Sequence, residues 1–211
     1  MPTPTSYKRT RRSPEVAEAL ILDTAEVLLR ERPFRDLSVD ELMSRAGMRR
    51  SSFYTYFKDR SELVVRLIAR IGGEMLAVAD RWLAGPSENE VEDVREALRE
   101  VIRIYAEHGP VLAAIAEAAH HDDEVERVFG GQLENFRAAV ATRIRSEKRA
   151  GRSTVTNPEQ AARALVLMTE RFLAQRLGRE PQDRPLGVAK VLEQIWIRTI
   201  YGAEPKLAVE P

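Results

Sequence analysis

Residues 37–63 of this 211-residue chain read LSVDELMSRAGMRRSSFYTYFKDRSEL. Ser38 precedes Glu41 by three residues, so the hydroxyl and the carboxylate can each satisfy a backbone N–H group at a helix start. Leu37 can pack on Leu42 across that same start. We therefore predict that a helix begins at Ser38. Gly47 then supplies a left-handed turn, after which a second short helix is predicted.

The second short helix, predicted over Arg50–Tyr56, has an apolar and a polar face. Phe53 and Phe57 lie four residues apart and share the inner face. The outer face and its flanks carry basic, hydroxyl and aromatic side chains, namely Arg49, Arg50, Ser51, Ser52, Tyr54 and Thr55. Arginine can bond both O6 and N7 of guanine, whereas hydroxyl groups mostly bind phosphate. The segment predicts a helix-turn-helix that reads DNA, with an ordinary solvated helix end as the alternative.

This segment resembles the DNA-binding domain of the TetR family of transcriptional regulators, through Gly47 and the run Phe53-Tyr54-Thr55-Tyr56-Phe57. The resemblance implies a phosphate contact from Ser38. It also implies base or backbone contacts from Arg50, Ser51, Ser52, Tyr54, Thr55 and Tyr56. Arg60 takes the place of the family's basic residue at the next helix, where a phosphate is favoured. Arg49 departs from the family's small hydroxyl cap, so either the cap is weaker or Arg49 adds a base contact.

The composition, 44% hydrophobic and 31% charged, suits a soluble protein with one small and one larger helical domain. The sequence has no cysteine, which excludes disulfides, thiolate nucleophiles and cysteine zinc sites and fits a reducing cytoplasm. Apolar runs are short and no secretory signal is evident, so we expect a cytoplasmic protein without a membrane span. We expect no cofactor and no metal.

Positive charge is concentrated at the N-terminus, although the formal net charge is zero. Residues 1–60 carry 12 Lys and Arg against 9 Asp and Glu. Lys8, Arg9, Arg11 and Arg12 form a cluster with no acid before Glu15. Prolines nearby favour disorder, so residues 1–13 are predicted to be a basic arm that lies along phosphates or enters a minor groove. A tail that only aids solubility is the alternative.

Proline and glycine positions divide the remainder into helices, and no alternating strand pattern of useful length occurs, so the chain is predicted to be all-α. Besides the two short helices, the predicted helices are Pro14–Glu31, Asp59–Leu83, Glu90–Glu107, Pro110–His120, Asp122–Arg149, Pro158–Leu177 and Pro185–Tyr201. Gly72-Gly73 is predicted to be a flexible point of the long helix. The expected domains are an N-terminal three-helix helix-turn-helix over residues 14–60 and a helical ligand-binding and dimerisation domain over residues 61–202, with a tail over 203–211.

The second domain resembles a narrower group within the TetR family, the regulators like the ethionamide-resistance repressor. The likeness lies in ALVLMTERFLA at residues 164–174 and VLEQIWIRTIYG at residues 191–202. It implies an apolar ligand tunnel lined by Ile104, His108, Phe129, Leu133, Phe136, Val140, Thr169, Phe172 and Trp196. It also implies a dimer interface from the last two helices, with Leu165, Met168, Val188, Leu192, Ile195 and Thr199. Ordinary packed core is the alternative for these residues, and sequence does not divide pocket from interface.

These features predict a TetR-type repressor that binds a double-stranded DNA operator as a homodimer and is released by a small hydrophobic effector. Val166 and Thr169 replace asparagines of the related repressor, which indicates a less polar ligand. The alternatives are a protein that binds DNA without sequence preference and an all-α enzyme. His120-His121-Asp122-Asp123 is the best candidate for metal or catalysis, but adjacent helical residues diverge and no metal-binding spacing occurs, so no enzyme is expected.

Overall fold

The computed structural model describes residues 13–85, 89–179, 182 and 184–202, and the regular elements of these residues are all helical. This confirms the all-α prediction. In chain order the helices are α1 Pro14–Glu31, α2 Val39–Arg45, α3 Arg50–Tyr56, α4 Arg60–Leu83, α5 Glu90–Ala119, α6 Asp123–Arg149, α7 Pro158–Leu177 and α8 Pro185–Tyr201, with a 3-10 turn at Phe34–Asp36 between α1 and α2.

The helix starts follow local capping chemistry, as predicted. Ser38 accepts a hydrogen bond from the Glu41 N–H at 3.1 Å, which fixes the start of α2. The Glu41 carboxylate does not make the bond to a backbone N–H that was predicted for it; it accepts from Arg32 at 2.6 Å and so ties α2 to the end of α1. Asp59 caps α4 in the same manner, accepting from the Glu62 N–H at 2.9 Å.

Helix α5 differs from the prediction, because it runs unbroken from Glu90 to Ala119 with Pro110 inside it. The predicted division into Glu90–Glu107 and Pro110–His120 is therefore wrong. Proline in a helix interior costs about 3 kcal/mol. Packing compensates here, since α5 contacts α1, α4, α6, α7 and α8. Gly109 lies so close to the Leu177 carbonyl at the end of α7 that a Cβ atom would overlap it.

The apolar core of the first helices continues into the second domain through α4. Leu63 and Leu67, near the start of α4, are fully buried in one cluster with Phe53 and Phe57. The same cluster includes Leu177 and Leu192 of α7 and α8, so it spans both predicted domains.

A second cluster surrounds Trp82 and Trp196 and packs the C-terminal end of α4 against α5, α6, α7 and α8. Helix α4 stays helical through Gly72 and Gly73. The Gln132 side chain fills the space that a Cβ at Gly72 would need. A role for the glycine pair as a flexible point stays a prediction.

Candidate DNA-binding surface and ligand cavity

Helices α2 and α3 form the predicted helix-turn-helix. Gly47 has φ +67°, the left-handed conformation that favours glycine, and the Met48 N–H donates to the Met43 carbonyl at 2.8 Å across the turn. Phe53 and Phe57 are buried with ring centroids 5.3 Å apart. This packing fixes which face of α3 points outward.

The outward face of α3 carries most of the side chains predicted to contact DNA. Tyr54 is 58% exposed. Arg49, Arg50, Ser51 and Thr55 are exposed as well, while Ser52 and Tyr56 are half-buried. Ser38 is exposed at the start of α2, and because its oxygen accepts the capping bond, its hydroxyl proton can still be donated to a phosphate. The cations Lys8, Arg9, Arg11 and Arg12 lie outside the described residues.

The two arginines at the start of α3 are held only weakly by the protein. Arg49 is the N-cap residue, and its side chain makes no capping bond, which agrees with the weaker cap, while a base contact from Arg49 stays a prediction. Arg50 lies 3.4 Å from the Asp40 carboxylate, and both groups are well exposed. Exposed ion pairs contribute about 0–1 kcal/mol, so a phosphate or a guanine can replace Asp40 at low cost.

Arg60 is the first residue of α4, as the resemblance implied, but its side chain also bonds within the chain. Its guanidinium donates to the Leu37 carbonyl at 2.6 Å and lies 5.4 Å from the centre of the Phe34 ring. It therefore joins the start of α4 to the start of α2 through Nη1, and a phosphate contact from its other N–H groups stays a prediction. The local sequence gives no signal of the bond to Leu37, because the carbonyl acceptor is 23 residues away.

His108 lies where α1, α4 and α5 meet, and it is paired with a carboxylate there. Its Nδ1 is 2.9 Å from the Glu26 carboxylate of α1, which also accepts from Arg70 of α4. The hydrogen bond to Glu26 raises the pKa of His108 in spite of burial. Burial alone would raise the pKa of Glu26, but the hydrogen bonds from His108 and Arg70 outweigh it and lower that pKa. These charges hold α1, α4 and α5 together.

A cavity of about 90 Å³ lies among α4, α5, α6, α7 and α8. Of the predicted tunnel residues, those that line it are Leu133, Phe136, Val140, Thr169 and Trp196. Ile104, His108, Phe129 and Phe172 do not line it, so a ligand contact from these four stays a prediction. Ile104 is buried in the first core cluster, and Phe129 and Phe172 pack against that cluster. The apolar stripe of α6 is longer than the cavity, so a shared helix face did not suffice to identify the lining.

Several lining residues were missed from the sequence, because the helix faces that meet around the cavity are set by the packed fold and not by a local motif. Met75, Ala79 and Trp82 come from α4 and Tyr105 from α5. Glu170 of α7 brings a carboxylate to the cavity wall. The spacing of these residues in the sequence does not predict that they line a common cavity.

The indole rings of Trp82 and Trp196 meet edge to face, with centroids 5.9 Å apart and planes at 79°. The Trp196 N–H donates to Thr169 Oγ1 at 2.9 Å, and the Trp82 N–H donates to the Tyr201 hydroxyl at 3.1 Å. Both rings are thus fixed in orientation by hydrogen bonds within the chain.

The last two helices place the predicted interface residues on two different faces. Leu165, Val188 and Leu192 are only 3%, 4% and 1% exposed and belong to the chain's own core, so they offer no surface to a second copy. Met168 is half-buried, whereas Ile195 and Thr199 are exposed. The large apolar side chains that α7 and α8 expose are Leu167, Leu186, Val191 and Ile195.

Two further findings concern the described residues as a whole. No group of three or more His, Cys, Asp and Glu side chains among them is placed to hold a metal ion. His120 and His121 are exposed, and His120 Nδ1 lies 2.6 Å from the Ala116 carbonyl. None of the helices in this part of the chain is long and apolar enough to cross a membrane.

A helix-turn-helix with an exposed basic and aromatic helix, joined to a helical domain with a cavity, defines a DNA-binding regulator. Residues 21–67 match the family of bacterial regulatory proteins called the tetR family, and residues 94–202 match the C-terminal domain of the transcriptional regulator EthR. The chain therefore belongs to the TetR family, whose members are DNA-binding transcriptional regulators and not enzymes.

Relatives match over most of their length. The chain is 32% identical over 209 residues to the HTH-type transcriptional regulator EthR of Mycolicibacterium smegmatis, covering 96% of this chain and 94% of that protein. It is 30% identical over 202 residues to EthR of Mycobacterium tuberculosis H37Rv, with 94% of each chain covered. The fold is also that of the fatty acid degradation regulator FadR from Bacillus halodurans, with a TM-score of 0.76 at 12% identity, covering 93% of this chain and all of that one.

Proposed function

We propose that this protein is a ligand-responsive repressor that binds operator DNA as a homodimer and leaves it when a small apolar effector fills the cavity. The observation that carries this proposal is the course of α4. Its first turns pack with Phe53 of α3, and its last turns contribute Met75, Ala79 and Trp82 to the cavity wall. One helix of 24 residues, about 36 Å long, thus joins the two sites.

The size of the cavity supports a coupled movement. A cavity of about 90 Å³ is smaller than the roughly 150 Å³ cavity that holds benzene in a protein core. A larger effector has to push the walls apart, and α4 is one of those walls. A ligand that favours the displaced arrangement by about 2–3 kcal/mol would lower the affinity for DNA by roughly 30- to 150-fold.

Dimerisation is proposed through the exposed apolar side chains of α7 and α8. Val191 and Ile195 lie one turn apart on α8, and Leu186 is 68% exposed near its start. Burying such side chains between two copies contributes about 25 cal/mol per Å² of apolar surface. A two-fold dimer would place its two α3 helices in successive major grooves, about 34 Å apart, on a palindromic operator.

The test measures binding at fixed salt to two duplexes by fluorescence anisotropy. The first duplex is selected by the protein from a random DNA pool, and the second is its scrambled version. We expect a preference for the selected sequence of more than 100-fold. Arg50→Ala and Tyr54→Ala should abolish it, whereas Arg149→Ala, which removes an exposed arginine at the far end of α6, should not. Equal binding to both duplexes would show binding without sequence preference and would contradict the proposal.

A further inference from the structure

We propose that the effector is an apolar molecule with a positively charged amine, and that Glu170 recognises that amine. This inference rests on the proposed ligand-binding role of the cavity and adds the chemical class of the ligand. It differs from the uniformly apolar ligand that Val166 and Thr169 indicated in the sequence.

The lining residues with polar groups are Trp82 of α4, Tyr105 of α5, Thr169 and Glu170 of α7, and Trp196 of α8. Glu170 of α7 is half-buried and lines the cavity together with Tyr105 of α5, which is 6% exposed. Thr169 and Trp196 also line it, but they bond to each other. Within the described part of the chain, Glu170 has no ion-pair or hydrogen-bond partner. Most other lining side chains are aliphatic or aromatic.

Glu170 differs from the fully buried acids of the described residues, each of which has a cation of the protein beside it. Those pairs are Glu26 with Arg70, Asp93 with Arg81 and Glu147 with Arg152. A carboxylate removed from water is destabilised unless a cation or hydrogen-bond donors compensate it. Glu26, Asp93 and Glu147 each form an ion pair with an arginine, whereas Glu170 forms none within the described residues.

The surroundings of Glu170 make it receptive to a cation. Burial raises the pKa of its carboxyl, and the neighbouring Arg171 only partly opposes this. Arg171 itself is exposed and lines a separate surface groove. An ammonium group in the cavity would gain a charge-assisted hydrogen bond to Glu170 in a medium of low dielectric constant. The rings of Trp82, Trp196 and Phe136 also line the cavity, and aromatic rings favour a cation near their faces.

The test compares three ligands of equal chain length, namely octylamine, 1-octanol and octanoate. The two tryptophans of the chain both line the cavity, so their fluorescence reports its occupancy. We expect octylamine to bind at least tenfold more tightly than octanol, and octanoate to bind most weakly. Glu170→Gln should remove the advantage of the amine. Glu159→Gln, an exposed acid on the same helix, should keep it.

The order of affinities in the unaltered protein tests the proposal even if a variant fails to fold. If octanol binds as tightly as octylamine, the proposal is wrong. Glu170 would then be protonated in the complex and would bind neutral ligands equally well. Operator release, measured separately, tests the proposed repressor. If octylamine binds selectively but leaves DNA affinity unchanged, the assignment of Glu170 holds and the ligand response fails. If octanol and octylamine release DNA equally, the response holds and the assignment of Glu170 fails.

Discussion

Replacing His108 with glutamine should lower the free energy of unfolding by about 2 kcal/mol near pH 6, since a hydrogen bond to a charged group contributes about 1.5–3 kcal/mol. The imidazole lies 2.9 Å from Glu26, and their side chains are only 12% and 9% exposed. Glu74 and Glu107 lie at 3.7 and 4.0 Å and further favour the protonated ring, while Arg70 shares the Glu26 carboxylate. For a chain of this size the loss corresponds to roughly 4–8 °C in Tm.

The effect should depend on pH with a defined sign. The raised pKa of His108 gives a contribution that is complete below 6.5 and is lost as the pH rises through its folded-state pKa. The lowered pKa of Glu26 gives a contribution that is present above 4.5 and is lost as the pH falls through its folded-state pKa. The pair therefore stabilises most between about 4.5 and 6.5, and the difference between the two proteins should shrink above that range.

Urea unfolding at a series of pH values and one protein concentration measures this difference. His121→Gln is the matched control, because His121 is exposed. We expect the control to follow the unaltered protein at every pH. Curves for the unaltered protein and His108→Gln that run parallel from pH 5 to 9 would refute the assigned role of the Glu26–His108 pair.

Three further predictions follow from other contacts. Arg60→Ala should lower the free energy of unfolding in urea by about 1–3 kcal/mol, because the substitution leaves the Leu37 carbonyl without its donor. Arg49→Ala should weaken operator binding and leave the free energy of unfolding unchanged, because its side chain makes no capping bond. Gly109→Ala should lower the free energy of unfolding in urea by about 1–3 kcal/mol or prevent folding, because its Cβ would overlap the Leu177 carbonyl. Gly130→Ala, in open space on α6, is the control and should be neutral or stabilising. Equal effects of the two substitutions would contradict the packing argument. Ile195→Asp should yield monomers in analytical ultracentrifugation and weaken operator binding, while a dimer that persists would place the interface elsewhere.

Local signals in the sequence predicted the helices well, because caps, prolines and glycines act within a few residues. Ser38, Asp59 and Pro158 begin their helices within one residue of the prediction. Pro110 was misleading, because contacts of α5 with five other helices outweigh the local cost. Such contacts join residues far apart in the chain, and their strength does not show in a local pattern.

The same distinction between local signals and long-range contacts applies to the candidate sites. The exposed face of α3 followed from the spacing of Phe53 and Phe57, which lie within one turn of each other. The cavity lining depends on which parts of five helices meet, so Trp82 and Glu170 could not be found. On α7 and α8 apolar residues occupy both faces, and only the packed fold shows that Leu192 points inward and Ile195 outward.

The core shared by α3 and α4 has a consequence for the construction of hybrid regulators. A new operator specificity is commonly sought by exchanging the N-terminal segment of one regulator for that of another. A junction at residue 60 would separate Leu63 and Leu67 from the phenylalanines against which they pack. The unit to be exchanged has to continue into α4 past Leu67 and end before Met75, because Met75, Ala79 and Trp82 line the cavity. A hybrid joined there would keep the packing of α3 against α4, but its new α1 would also have to supply a partner for His108 of α5.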